Sequence, residues 1–408
     1  MAAKKSSKHV VLDTKGVERD DLANLLQKEL NKSQKDGSKV AYFLDEEETP
    51  WDIVEWVSTG ATMLDLAISN RPHGGLPVGK IIELSGLEGT GKSLLCGHLI
   101  AETQKRGGHA VFFDSESAID KNYWTALGID VSKVNCVAFT TLEELFTRLE
   151  LCIGTFRKVA SDRLLTIFVD SVAQASIEKE MEADHGIDGY NTGKSLILGK
   201  AMRKITNLIA KQRILLVFTN QLRYNMNAGP FGDKWITPGG KALSYSCSVR
   251  LRLANLGKVK KNDQVIGVEA QAQVIKNRCG PNYRIASFQI HYDSGIQDLA
   301  SWLGYMKDNG LITGTAAKYT YKRKDGSTLE FNTAKFVELV NSDPALKEEV
   351  YQVICDNYIM KYRDPNSAIV EDVEVTDNEN DDITKNAVKD EWTSQPMTSL
   401  DYRASSRT

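Results

Sequence analysis

Eight residues constrain this chain more than any others: Gly86-Leu87-Glu88-Gly89-Thr90-Gly91-Lys92-Ser93. They fit the pattern G-x-x-x-x-G-K-[ST], and both flanks are of the kind that pattern needs. Lys80-Ile81-Ile82-Glu83-Leu84-Ser85 before it reads as a short buried strand, and Leu94-Leu95-Cys96-Gly97-His98-Leu99-Ile100 after it has apolar positions at helical spacing. A glycine-rich turn between strand and helix lets backbone N–H groups curl around an anion at the positive end of a helix dipole. The motif predicts a nucleoside triphosphate site. Gly86, Leu87, Glu88, Gly89, Thr90 and Gly91 would wrap the phosphates. Lys92 would add a positive charge at the terminal ones, and the Ser93 hydroxyl would ligate Mg²⁺.

A chain of 408 residues, 41% hydrophobic and 26% charged, can bury a large core and hold two or three folded units. No apolar run approaches the roughly 18 residues of a membrane span. The polar start Met1-Ala2-Ala3-Lys4-Lys5 is not followed by the apolar segment of a secretion signal. Cys96, Cys136, Cys152, Cys247, Cys279 and Cys355 are widely spread with no C-x-x-C pair, as expected of reduced structural thiols. A cytoplasmic protein with no membrane partner is expected. From Glu371 to Thr408 there are ten acidic and four basic residues, a net −6 in a chain of −3, so the residues before it carry +3. Glu371 to Glu391 has no apolar cluster to offset the entropy of ordering it. Residues 363–408 therefore read as a disordered acidic tail that can compete with polyanions for a mildly basic body.

Asp21 to Asn31 reads as an amphipathic helix with Leu22, Leu25, Leu26 and Leu30 on one face, and Val40 to Leu44 as a strand. After the phosphate-loop strand come apolar runs at Ala110 to Phe113, Val134 to Ala138, Leu164 to Val169 and Ile214 to Thr219, alternating with helical patterns. This alternation predicts an α/β fold with a doubly wound, mostly parallel sheet.

Two further strand ends carry chemistry. Leu164-Leu165-Thr166-Ile167-Phe168-Val169-Asp170 ends in an acid, the form in which such sheets present a second Mg²⁺-orienting group, so Asp170 takes that role beside Ser93. Val111-Phe112-Phe113-Asp114-Ser115-Glu116 ends in a carboxylate able to deprotonate an attacking water, and Glu116 is the candidate general base. Two long polar connections, Glu182 to Lys194 and Arg223 to Lys241, read as working loops rather than spacers. The second sets Tyr224, Phe231 and Trp235 among Arg223, Lys234 and Lys241, a mixture of stacking groups and cations that suits single-stranded nucleic acid.

These residues together resemble the RecA-type recombinases, from about Asp21 to about Tyr362. The matching motifs are Glu55-Trp56-Val57-Ser58-Thr59-Gly60, Gly74-Gly75-Leu76-Pro77-Val78-Gly79-Lys80, Gly86 to Ser93, Phe113 to Asp120 and Phe168-Val169-Asp170-Ser171-Val172-Ala173. Ala201-Met202-Arg203-Lys204, Thr219-Asn220-Gln221-Leu222-Arg223, Pro238 to Leu243 and Val274-Ile275-Lys276-Asn277-Arg278 follow in the same order. The resemblance implies a RecA-like core over 46–296, an N-terminal helix-strand polymerisation arm over 1–45, and a small α+β C-terminal domain over 297–362 that captures duplex DNA. Trp302, Leu303, Met306, Leu311 and the helical Ala334 to Val340 carry that last likeness.

The implied activity is an ATP-dependent helical filament on single-stranded DNA that pairs with homologous duplex and exchanges strands, hydrolysing ATP as it does so. By resemblance, Asp120 and Tyr123 flank the adenine, with Tyr292 a further candidate beside them. Gln221 senses the γ-phosphate, and Lys276 and Arg278 reach the neighbouring subunit's ATP. Arg203 and the backbone of Gly239 and Gly240 hold DNA phosphates. A single-strand binding protein and a loading mediator are further candidate partners. Leu196 and Gly199 depart from the polar residues common at these places, as does the composition of Glu182 to Lys194. A ring-forming helicase shares such a core, but the N-terminal segment, the Lys-x-Arg pair and the C-terminal domain favour the recombinase. Against an architectural DNA-coating protein stands the presence of Lys92, Glu116 and Asp170 together.

Overall fold

The computed structural model describes residues 20–32, 39–45, 49, 52–53, 55–116, 119–160, 162–178, 190–210, 212–226, 233–239 and 241–362. The chain forms two compact units, Met1–Val54 and Glu55–Thr408.

In the first unit, helix Asp21–Lys32 buries none of its residues, and Leu22, Leu25, Leu26 and Leu30 are each more than half exposed. Val40 to Leu44, expected as a strand, forms no strand among the described residues. Its backbone is answered instead by a side chain: the Val40 and Ala41 amides donate to Asn31 Oδ1 at 2.8 and 2.9 Å, and Asn31 Nδ2 donates to the Ala41 carbonyl at 3.1 Å. A strand exists only where a neighbouring strand pairs with it.

The second unit is built on one nine-stranded sheet. Its strands are β1 (Ile81–Gly86), β2 (His109–Asp114), β3 (Val134–Ala138), β4 (Leu165–Asp170), β5 (Ile214–Gln221), β6 (Val249–Lys261), β7 (Gln264–Asn277), β8 (Ile285–His291) and β9 (Gly295–Ile296). Their order is β9-β8-β7-β6-β1-β5-β4-β2-β3. From β6 to β3 all neighbours are parallel, and from β6 to β9 all are antiparallel. The parallel half is the one legible from alternating strands and helices. The antiparallel extension was not expected: β6 and β7 are 13 and 14 residues long, and only their inner ends are apolar.

Alternation along each strand divides the core into two faces. Leu84, Phe112, Phe168 and Val217 lie on one side with helices Thr62–Ser69 and Lys92–Lys105. Ile81, Phe113, Ile167, Val169 and Phe218 lie on the other with helices Leu142–Val159 and Tyr190–Ile209. Burying each such side chain contributes about 1.5–3 kcal/mol. Helix Leu142–Val159 starts where its sequence says: Thr141 Oγ1 accepts from the Glu144 amide at 3.2 Å, and Glu144 returns a carboxylate oxygen to the Thr140 amide at 3.0 Å. The Glu55-to-Gly60 motif is also structural. Glu55 takes a two-pronged contact from Arg213 at 2.7 and 2.9 Å, and Ser58 and Thr59 hydrogen-bond the buried Asp65.

Residues 298–358 supply helix Asp298–Asp308, a three-stranded sheet and helices Thr333–Ser342 and Pro344–Tyr358. Trp302, Met306, Phe336, Val350 and Ile354 continue the first core face. Asp298 ties the two parts, accepting from the Thr62 amide at 2.7 Å and the Thr62 hydroxyl at 2.6 Å. The acidic tail lies outside the described residues.

Candidate functional site

The carboxyl ends of β1, β2, β4 and β5 converge, as open α/β sheets do at their ligand crevices. The turn after β1 leads directly into helix Lys92–Lys105, and Gly89 and Gly91 take φ of +68° and +90° there, which glycine alone adopts without strain. Lys92 Nζ bridges the Gly86 and Leu87 carbonyls at 3.0 and 2.7 Å. Burial pulls its ammonium below the ordinary lysine range, while Asp170 and Glu116 hold it up. Ser93 Oγ donates to one Asp170 oxygen at 2.8 Å, and Thr219 Oγ1 donates to the other at 2.5 Å. Glu116 stands opposite, accepting from Ser171 Oγ at 3.1 Å. Four of the residues expected from the sequence, Lys92, Ser93, Glu116 and Asp170, thus form one cluster.

Hard oxygen donors on Ser93 and Asp170 beside a phosphate cradle fit Mg²⁺ bound with a nucleotide. Among the described residues no group of three or more His, Cys, Asp or Glu side chains is placed to hold a metal alone.

Asp120 caps helix Lys121–Ala126, accepting from the Asn122 and Tyr123 amides at 2.9 and 3.2 Å. Burial, and then the Tyr292 phenol, push the Tyr123 phenol up. Gln221 ends β5 in register with Gly86, the first phosphate-loop residue.

Lys276 and Arg278 lie at the other end of the sheet. Lys276 pairs with Arg250, and the Arg278 amide bonds Ser248, whose own amide bonds Ile81 at the start of β1. Lys276 Nζ donates to the Ser244 and Tyr245 carbonyls at 2.7 and 3.1 Å, and Arg278 to Tyr245 at 3.3 Å. Burial and then the Arg278 charge lower the Lys276 ammonium. Three residues of β6, about 10 Å at 3.3 Å each, separate Arg250, the register partner of Lys276, from Leu253, the level of Ala272 and Gly86, and β7 carries a bulge in between.

The segment expected as an unstructured loop from Arg223 to Lys241 is partly ordered. Arg223–Tyr224 pairs with Trp235–Ile236 as a short ribbon, and the Tyr224 and Trp235 rings meet edge to face at 5.9 Å. Two-residue strands leave too little periodicity to read. Similarly, Tyr190 to Lys194 of the other expected loop already belongs to helix Tyr190–Ile209. Phe231 and Gly240 lie outside the described residues, as does 181–189.

Arg223, Trp235, Gly239 and Lys241 line a cavity of about 710 Å³ together with Lys194, Arg250 and Arg252. Arg203 is exposed and does not line it. Its guanidinium would stand 3.9 Å from a Cβ added at Gly199, which faces Ala242.

Sequence reasoning missed the network beneath that cavity. Glu83, 1% exposed, accepts from Asn220 Nδ2 at 2.9 Å and from Arg250 Nε. Asn220 also donates to the Pro238 carbonyl at 3.2 Å. A signal existed: Glu83 and Ser85 on β1 and Arg250 and Arg252 on β6 are polar residues two apart in otherwise apolar strands, hence on one face.

A family model described as the RecA N-terminal domain matches residues 24–297. Protein RecA of Heliobacterium modesticaldum is 32% identical over 335 residues, 82% of this chain and 93% of the relative. Protein RecA of Thermosynechococcus vestitus is 36% identical over 301 residues, 74% of this chain and 81% of the relative. Protein RecA of Clostridium novyi is 34% identical over 310 residues, 76% of this chain and 85% of the relative. With the phosphate loop, its acidic partners and the second loop all in order, the chain belongs to the RecA family of recombinases.

Proposed function

We propose that this chain is a DNA-dependent ATPase that polymerises on single-stranded DNA, pairs it with homologous duplex and drives strand exchange. One observation carries the reading: Gln221 sits against the phosphate loop, and the cationic, aromatic second loop begins two residues later.

Gly86 to Gly91 wrap the phosphates with backbone amides, and Lys92 exchanges its two carbonyl partners for phosphate oxygens. Ser93 and Asp170 hold Mg²⁺, which when bound neutralises charge on the phosphates. Thr219 keeps the Asp170 carboxylate oriented. Glu116, held by Ser171, accepts a proton from the attacking water. Asp120, Tyr123 and Tyr292 take the adenine. Lys276 and Arg278, remote from their own subunit's loop, serve the ATP of a neighbouring copy in the manner of an arginine finger.

On the DNA side, Arg223, Phe231, Trp235 and Lys241 contact the single strand, with Arg203 and the backbone of Gly239 and Gly240 on phosphates. The 1–45 segment joins one subunit to the next, the 297–362 domain captures duplex, and the 363–408 tail tempers that capture. A single-strand binding protein and a loading mediator are the proposed accessory partners. The proposed compartment is the cytoplasm, where the six cysteines, all free thiols, stay reduced.

The test measures phosphate release with and without single-stranded DNA, and images the same mixtures. DNA-stimulated hydrolysis on open helical filaments is the expected result. Closed rings would turn the reading towards a helicase, and filaments without turnover towards an architectural coat.

A further inference from the structure

We propose that Arg252 is a further DNA-phosphate contact held in reserve by Asp233, whose carboxylate fills the place that a backbone phosphate takes when single-stranded DNA enters the cavity. This rests on the reading of the second loop as a DNA-binding element.

Arg250 and Arg252 point to one face of β6, yet they are paired differently. Arg250 meets Glu83, a buried acid rooted in the sheet. Arg252 has Ser85 and Gln273 as its register partners, neither of them an acid. A carboxylate reaches it from the second loop: Arg252 Nη2 donates to Asp233 Oδ2 at 2.7 Å.

The two halves of this pair are unequally placed. The Arg252 side chain is 8% exposed and that of Asp233 55%. A guanidinium so desolvated loses stability when a paired anion leaves without replacement. The half-solvated carboxylate loses little by returning to water. Both residues line the cavity, among Lys194, Arg223 and Lys241. A phosphate oxygen pair fits the guanidinium fork as a carboxylate does, so one anion can replace the other while Arg252 stays paired throughout. Asp233 therefore competes with DNA for one specific cation.

The experiment titrates fluorescent oligo-dT with the full chain, with and without ATP, over a range of salt. Asp233→Asn should bind about three- to tenfold tighter than wild type, and Arg252→Gln should bind more weakly with the slope of log K against log salt shallower by about 0.7, one single-strand phosphate. In the Arg252→Gln background, Asp233→Asn should change affinity less than about twofold, because coupled residues are not additive. Equal tightening in both backgrounds would mean that Asp233 repels DNA through space, and the proposal falls. No tightening by Asp233→Asn in the wild-type background also overturns it, whatever the fate of Arg252→Gln. Failure of the wild type itself to bind oligo-dT would remove the DNA-binding reading, and this inference with it.

Discussion

Gly86 and Gln221 are register partners at the ends of β1 and β5, and the Leu222 amide bonds the Gly86 carbonyl at 3.3 Å. The residue that opens the phosphate loop and the residue that precedes the second loop are thus one hydrogen-bonded step apart. Gln221→Ala should leave ATP binding near wild type while reducing the increase in single-strand affinity that ATP brings. Anisotropy titrations with and without ATP check this, and an undiminished ATP effect would place the coupling elsewhere.

Glu116→Gln keeps the size and hydrogen bonding of the side chain but cannot accept a proton. Turnover should fall by about 10²–10⁴, with nucleotide binding retained. Phosphate release and a fluorescent-nucleotide titration measure the two separately. Loss of nucleotide binding would make Glu116 a structural residue.

Trp235→Ala and Phe231→Ala should each weaken single-strand binding by about 1–3 kcal/mol if a base stacks on the ring. Tyr224 meets Trp235 edge to face, so Tyr224→Ala should impair binding indirectly, through the tilt of the indole. Hydrolysis without DNA should hardly change. Normal DNA binding in all three variants would reduce the loop to a spacer.

Burial pushes the Asp65 carboxyl up to about 7, against hydrogen bonds from Ser58 and Thr59 that favour its ionised form. In the unfolded chain it titrates near an ordinary value of about 3.9. Between these pH values the folded state holds the extra proton, so this residue's contribution makes stability fall as pH rises from about 4 to about 7. Asp65→Asn should flatten that part of the profile. Urea unfolding at pH 5 and pH 7.5 compares the slopes, and an unaltered slope in the variant would assign the dependence to other groups.

Deleting residues 371–408 removes a net −6 from a weakly basic body. Duplex binding should strengthen and persist to higher salt. An unchanged salt titration would make the tail a solubilising terminus only.

The parallel half of the sheet and the Lys92, Ser93, Glu116, Asp170 cluster were legible because a buried parallel strand is an uninterrupted apolar run, and the polar residue ending it stands out. The antiparallel half was not. The outer parts of β6 and β7 have little buried surface to impose a pattern, and Lys258, Lys260 and Lys261 read like loop residues. Val40 to Leu44 is no strand for the opposite reason: its pattern fits one, but among the described residues the Val40 and Ala41 amides are taken by the Asn31 side chain. The spacing of Arg250 and Arg252 puts them on one face of β6, but the sequence does not say which acid each meets, since Glu83 is 167 residues away from Arg250 and Asp233 lies in a loop.

The separation of Lys276 and Arg278 from the Gly86 loop has an arithmetical consequence. If each basic pair completes the ATP site of the next copy, a stack of n subunits contains n − 1 complete sites, and one end always carries an unfinished one. Turnover per subunit would then climb with the length of the stack and be weakest in the shortest assemblies. Mixing Arg278→Ala with Glu116→Gln subunits would restore a fraction of sites, each joining a sound base from one copy to a sound arginine from the other. A freshly nucleated stack would spend little ATP, whereas a long one would hydrolyse it along nearly its whole length, leaving one terminus chemically distinct from the other.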